Sequence, residues 1–245
     1  MELEIQKAIE LGMDELCFTE HSDYDVPTVV NCDYDAYFKE MEEMKEKYKG
    51  QITLKTGIEF GIQVHTTKAY EETFGQYPFD FVIFSCHQVE NKEYWRQEPQ
   101  KGKTQLEYNR RYYQEILDVV KAYKDYSILG HLDVIKRYDL NGEIELEKIK
   151  DLIEQIFEVV IADGKGIELN TSSRAYHLKS LMPSREILEL YHDMGGKIIT
   201  IGSDAHNVDR VGDRVMESQK ILKEIGFNGI YTFDQMKPKF HEFKF

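Results

Sequence analysis

Residues 79–87 read FDFVIFSCH. Phe79 to Cys86 is apolar at nearly every position and shows no polar alternation. That is the pattern of a strand buried on both faces, as in a parallel sheet. The run stops on a histidine, His87. Outward from it, strand-like and helix-like stretches alternate. Upstream lie an amphipathic helix from Glu2 to Leu11 closed by Gly12, a short apolar run from Glu15 to Thr19, a helix from Asp33 to Lys49, and a strand from Ile52 to Phe60. Downstream lie a helix from Gln105 to Tyr123, a strand from Tyr126 to Leu129, a helix from Leu146 to Ala162 and a strand from Gly166 to Leu169. A helix from Arg185 to Met194, a strand from Lys197 to Ile201, a helix from Val211 to Ile225 and a strand from Gly229 to Phe233 follow. Seven strand-like segments separated by helix-sized stretches predict an α/β fold with a parallel sheet. Right-handed crossovers leave a closed barrel or an open doubly wound sheet.

Composition agrees with a globular domain. The chain has 245 residues with 41% hydrophobic and 31% charged side chains, and a formal net charge of −14. A single α/β barrel commonly runs about 200–250 residues, and no Gly/Ser tract or proline cluster marks a boundary, so one domain over 1–245 is expected. No apolar run approaches the roughly 20 residues of a membrane span. Met1 is followed by Glu-Leu-Glu, unlike a signal peptide. The acidic balance argues against a nucleic-acid partner. The cysteines, Cys17, Cys32 and Cys86, are odd in number and widely spaced, which favours neither disulfides nor a thiolate zinc site. A cytoplasmic protein is expected.

The ends of the strands carry the chemistry. TEH (19–21), GIE (57–59), SCH (85–87), GHLD (130–133), ELNT (168–171) and GSDAH (202–206) each close an apolar run. In parallel α/β folds the C-terminal strand ends face one mouth. His21, Glu59, His87, His131, Asp204 and His206 are therefore expected to converge. Imidazole and carboxylate together suit zinc, manganese or iron. Two such ions about 3.5–4 Å apart can activate water and clamp a phosphoryl oxygen. His65, His192 and His241 fall elsewhere and read as structural or solvated. His177, in the loop after the Asn170 strand, reads equally well as solvated or as a substrate contact.

The set TEHSDYDVP, GIEFG, FVIFSCHQV, GHLDVIKRYDL, ELNTSS and IGSDAH, in this order, resembles the PHP superfamily of polymerase and histidinol phosphatase domains, and most of all its histidinol-phosphatase branch. The resemblance spans Leu3 to Phe233. It implies a distorted (β/α)7-type, TIM-like barrel holding two to three divalent ions. It also implies metal ligation by Glu59, His87, His131, Asp204, His21 and His206, with Glu59 bridging two ions. Asp204, Glu59 and His206 are then the expected catalytic residues, Asp204 or a nearby histidine protonating the leaving group. Arg137 and Arg174 on mouth-side loops are expected to hold the phosphate, with Ser22 and Ser173 as weaker hydroxyl donors. Asp133 and Glu20 are expected to orient ligating imidazoles, and Asp23, Asp25 or Asp33 to meet a substrate ammonium.

The implied reaction is hydrolysis of a small phosphomonoester, histidinol phosphate, in histidine biosynthesis. Two readings compete with it. One is a related phosphoesterase acting on a nucleotide, oligonucleotide or phosphotyrosine, for which Tyr24, Tyr34, Tyr94, Trp95 and Tyr138 are available as stacking partners. The other is a non-catalytic metal-binding module. The family pattern also implies a first strand bearing His-x-His and a further histidine, which this sequence does not contain. The expectation is a barrel short of its first strand, incomplete metal occupancy, and open strand edges that favour a homo-oligomer.

Overall fold

A computed structural model describes residues 1–245. Six parallel strands form one sheet in the order β1 (Glu15–Ser22), β2 (Thr53–Gly61), β3 (Phe81–Ser85), β6 (Ile128–Leu129), β7 (Gly166–Asn170) and β8 (Ile199–Gly202). Every neighbouring pair is parallel. Each connection carries a helix: α2 (Tyr34–Lys47), α3 (Thr67–Phe74), α4 (Gln105–Ala122), α5 (Lys150–Ala162) and α6 (Arg185–Asp193), with α1 (Glu2–Glu10) before the sheet and α7 (Val215–Ile225) after it. The strands curl into an α/β half-barrel. β1 and β8 are its two edges, so the barrel is not closed within this chain.

Burial follows the topology. β3 and β7 are buried at all five positions, because helices cover one face and the half-barrel interior the other. Edge strand β1 is half-buried over most of its length. The main apolar cluster joins Ile58, Phe60, Val82 and Phe84 of the sheet to α4, α5 and α6. A smaller one packs Ile5 and Ala8 of α1 and Tyr37 and Met41 of α2 around Leu54.

The helix starts are written locally. Asp33 accepts the Ala36 amide and caps α2, which accounts for Asp33 without any substrate. Thr104 and Glu107 form a reciprocal capping box on α4, and Ser184 caps α6.

One expectation needs correction, and one element went unforeseen. The seventh strand, Gly229–Phe233, is not a stave of the barrel. As β9 (Gly229–Asp234) it pairs antiparallel with β10 (Lys237–Glu242) in a separate hairpin. Phe233 packs on the ring of Phe81 at the start of β3, with Ile83 and Ile128 beside it. The hairpin thus covers the end of the sheet opposite the mouth. An apolar run read alone does not say whether its partner is parallel or antiparallel. The unforeseen element is a small hairpin, β4 (Gln88–Val89) with β5 (Lys92–Glu93), which leaves the sheet just after His87. Its positive-φ turn residues, Glu90 and Asn91, lack the glycine that would have announced it.

Candidate metal centre

The centre starts from register. β1 and β2 pair His21 directly with Glu59, and β2 and β3 pair Gly61 with Ser85, two residues before His87. His131 follows the end of β6. Parallel pairing therefore brings these side chains to the same end of adjacent strands. One carboxylate oxygen, Glu59 Oε1, lies 3.1 Å from His87 Nε2 and 3.0 Å from His131 Nε2. The three ligand atoms lie within 4.8 Å of one another. Two imidazoles and a carboxylate are a borderline-hard donor set that fits zinc, manganese or iron.

Asp23 supports this cluster. It is almost fully buried. Its Oδ1 lies 2.7 Å from His87 Nδ1 and its Oδ2 lies 3.4 Å from His21 Nδ1. His87 is thus gripped at Nδ1 with its Nε2 turned to Glu59, the carboxylate–histidine pattern that orients metal ligands, while His21 Nδ1 faces the same carboxylate without a hydrogen bond. Asp23 was expected among candidates for a substrate ammonium. The structure gives its carboxylate to two imidazoles instead, and that role could not be read from a loop aspartate two residues after a histidine. Gly61 makes the arrangement possible. A Cβ there would sit 1.9 Å from Asp23 Oδ1 and 2.9 Å from His87 Nδ1.

The electrostatics are those of a tightly paired site. Burial alone would raise the Glu59 carboxyl, but hydrogen bonds from His131 and His87 outweigh it and hold it well below the usual carboxylate range. Burial likewise opposes ionisation of Asp23, and the charge and hydrogen bond of His87, with His21 beside it, reverse the sign. His87 is raised well above an ordinary imidazole, the charges of Asp23 and Glu59 overcoming its desolvation. Glu168 moves the other way. It is buried, and desolvation pushes its carboxyl up against the opposing charge and backbone amide of His131. Its Oε2 accepts the His131 amide at 3.0 Å and Asn170 Nδ2 at 3.1 Å. A Cβ on Gly202 would fall 2.0 Å from its Oε1.

The opposite side of the mouth is looser. His206 is 68% exposed, its Nδ1 3.4 Å from Asp204 Oδ1. The His21 and His206 ring centroids are 6.5 Å apart. Asp204 sits in the left-handed region at φ 49°, a conformation aspartate tolerates better than most residues. Its Oδ2 accepts from Arg137 Nη2 at 2.8 Å and lies 3.2 Å from Ser172 Oγ. Arg137 also bonds Ser172 Oγ at 2.5 Å and lies over the Tyr176 ring at 3.9 Å. Its Nε is buried with no partner. A cavity of about 170 Å3 joins the two sides, and it is lined by all six expected metal ligands, Asp23 and Arg137.

Several expected site residues are placed elsewhere. Arg174 is exposed on its loop and does not line the cavity. Ser22 is fully buried, its hydroxyl accepting from the Cys32 amide and from Tyr34, so it is committed to the 23–33 loop. Ser173 is buried away from the cavity. Ser172, one residue earlier, is the serine that meets Arg137 and Asp204. Asp133 accepts from the Ser184 amide and Lys136 rather than from an imidazole. Glu20 is exposed. Asp25 is exposed, 3.8 Å from His65. His177 is exposed and outside the cavity. His192 packs edge-on against Phe227 and His241 pairs with Thr232, both far from the metal cluster.

Comparison with known proteins adds to this geometry. The family model described as PHP domain matches residues 1–172. A histidinol-phosphatase of Lactococcus lactis is 30% identical over 95% of this chain and 88% of its own length. A probable histidinol-phosphatase of Clostridium acetobutylicum is 26% identical over 94% of this chain and 90% of its own. The crystal structure of the histidinol phosphate phosphatase of Lactococcus lactis, in complex with zinc, L-histidinol and phosphate, superposes with a TM-score of 0.85 at 27% identity, covering 97% of this chain and 92% of that one.

Proposed function

This chain belongs to the PHP domain family, in its histidinol-phosphatase branch, and from that premise we propose that it is a metal-dependent phosphatase converting histidinol phosphate to histidinol and phosphate. The observation that carries the proposal is the meeting of His87 and His131 on one oxygen of Glu59, across a small cavity from an arginine with an unpaired, buried Nε.

Glu59, His87 and His131 would hold one divalent ion, with His21, Asp204 and His206 completing one or two weaker positions. Such an ion, zinc as in the Lactococcus enzyme or manganese or iron, supplies Lewis acidity toward a phosphoryl oxygen and lowers the pKa of bound water. The chain's own residues do the rest. Arg137 offers its free donors to the phosphoryl oxygens, and a guanidinium fixed by Asp204 and stacked on Tyr176 is already oriented for that task. Water oxygen bonds to phosphorus as the ester P–O bond breaks. The leaving alkoxide takes a proton from the Asp204–His206 side of the mouth. Asp23 holds the His87 imidazole in place throughout.

The whole chain, 1–245, is proposed to act as one domain, since one apolar cluster runs from Ile58 to Phe227. No helix is long and apolar enough to cross a membrane and all three cysteines are free. A cytoplasmic setting within histidine biosynthesis is part of the same proposal.

The test is phosphate release from histidinol phosphate with added Zn2+ or Mn2+, on this chain and on Glu59→Ala. Saturable release that disappears in the variant supports the proposal. Release from a generic phosphomonoester but none from histidinol phosphate would redirect it to another ester.

A further inference from the structure

Beneath the mouth, three buried side chains form a hydrogen-bond chain that ends on Arg137. Arg137 Nη2 donates to Ser172 Oγ at 2.5 Å. Ser172 Oγ donates in turn to Asn170 Oδ1, also at 2.5 Å. Asn170 Nδ2 donates to Glu168 Oε2 at 3.1 Å, and the same oxygen accepts the backbone amide of His131 at 3.0 Å. Glu168, Asn170 and Ser172 are all buried.

The direction of the chain follows from its chemistry. A guanidinium only donates, and an amide oxygen only accepts. Asn170 Oδ1 also accepts the Ser172 backbone amide at 3.0 Å, so the oxygen end of Asn170 faces Ser172 and the nitrogen end faces the Glu168 carboxylate. The Ser172 hydroxyl has one proton. Asn170 Oδ1 lies closer to it than Asp204 Oδ2, which is 3.2 Å away. With the proton directed to Asn170, a lone pair of Ser172 Oγ is left for Arg137.

The anchor of the chain is rigid. Asn170 closes β7, pairs in register with Gly202 of β8, and donates its own amide to the Met182 carbonyl at 2.7 Å. Arg137 has a second acceptor in Asp204, but Asp204 is also an expected metal ligand. Ser172 is the acceptor of Arg137 with no second task at the mouth.

We propose that Asn170 is a positioning residue for the phosphoester reaction proposed above, on which this assignment rests: acting through Ser172, it holds the Arg137 guanidinium in fixed relation to the strand end that carries Glu168 and to the loop that begins at His131. A guanidinium oriented in advance does not have to be ordered when the phosphoryl group arrives, so the contribution appears in binding of the phosphoester rather than in binding of the metal.

The test is a mutant cycle on the metal-loaded protein. Asn170→Ala and Ser172→Ala are each made alone and together with Arg137→Ala. Inorganic phosphate affinity is measured by calorimetry, kcat and KM are measured on histidinol phosphate, and bound metal is measured by elemental analysis. Each single variant is expected to weaken phosphate binding and raise KM about fivefold, with bound metal unchanged. In the Arg137→Ala background the same substitutions are expected to change phosphate affinity less than twofold, because nothing remains to be positioned. A purely structural role would not produce that non-additivity. Equal losses in both backgrounds overturn the inference, as does an unchanged phosphate affinity or a loss of bound metal in Ser172→Ala. Should Asn170→Ala fail to fold, as read by circular dichroism, Ser172→Ala carries the same cycle. Failure of the underlying function looks different. Non-additive phosphate binding without release from histidinol phosphate supports the positioning role and points to another ester. Phosphate affinity indifferent to Arg137→Ala removes Arg137 from the phosphate and overturns the inference with it.

Discussion

The two sides of the mouth are built from the same residue types and differ in order. On the β2–β3–β6 side, Glu59, His87 and His131 bring three ligand atoms within 4.8 Å, and Asp23 braces His87 from behind. On the β1–β8 side, His21 is 41% and His206 68% exposed, and their rings stand 6.5 Å apart. The difference comes from strand pairing. β2, β3 and β6 are each held by a strand on both flanks, whereas β1 and β8 are the edges of the sheet. His87 and His131 stand two residues past strands that are flanked on both sides, and their rings are packed in, whereas His21 lies on a strand with one flank open and His206 stands four residues past the other edge strand. Convergence of ligands is therefore a property of the interior of the sheet, and the edges supply ligands in outline.

Predictions can break or sharpen this contrast. The largest effect belongs to Glu59→Ala, which removes the oxygen shared by both imidazoles. Turnover is expected to fall by about 10³ or more, together with the tightly held metal, as read by phosphate release and elemental analysis. Retention of both would mean that the ordered side is not the metal side. Next comes Asp23→Asn. Orienting carboxylates contribute about 10–100-fold to metal affinity, and zinc titration against a competing chelator should show a loss of that size with the fold intact by circular dichroism. Arg137 spans the two sides, bonded to Asp204 and facing the cavity. Arg137→Lys keeps the charge and loses the fork, and KM for the phosphoester is expected to rise about tenfold. The smallest effect is expected for His206→Asn, a few-fold change in turnover and little change in the first equivalent of metal bound. If His206→Asn proves as damaging to metal binding as Asp23→Asn, the contrast between ordered and open sides fails. Metal titration of the unmodified chain gives an independent check, with one equivalent resisting mild chelation and further equivalents leaving first. Three equally tight equivalents would contradict it.

Much of this was legible in the sequence, and the reasons are local. The buried-strand reading of FDFVIFSCH needed only the absence of alternation. The grouping of Glu59, His87 and His131 needed only their positions at strand ends. The position of Arg137 at the mouth could be read from its place in the loop after His131. The misreadings share a cause as well. Arg174 and Ser22 have the right chemistry in the right loops, but loop position does not say which way a side chain turns. Arg174 turns to solvent, while Ser22 is taken up by the Cys32 amide and the Tyr34 hydroxyl. Gly229–Phe233 has the composition of a stave and pairs with β10 instead, because the residues after it return as a partner strand.

By itself, then, the amino-acid sequence determined the alternation of strands and helices, the mouth at which ionisable residues gather, and the donor types that suit a divalent cation. These follow from periodicity and from chain direction, which every parallel α/β sheet obeys. Tertiary structure alone decided which of those residues touch. It set Asp23 between two imidazoles, turned Asp204 through a left-handed backbone toward Arg137, and substituted Ser172 for Ser173. Such choices depend on distances of a few tenths of an ångström between side chains far apart in sequence, and hydrogen bonds and close packing discriminate at that scale while hydrophobic patterning does not.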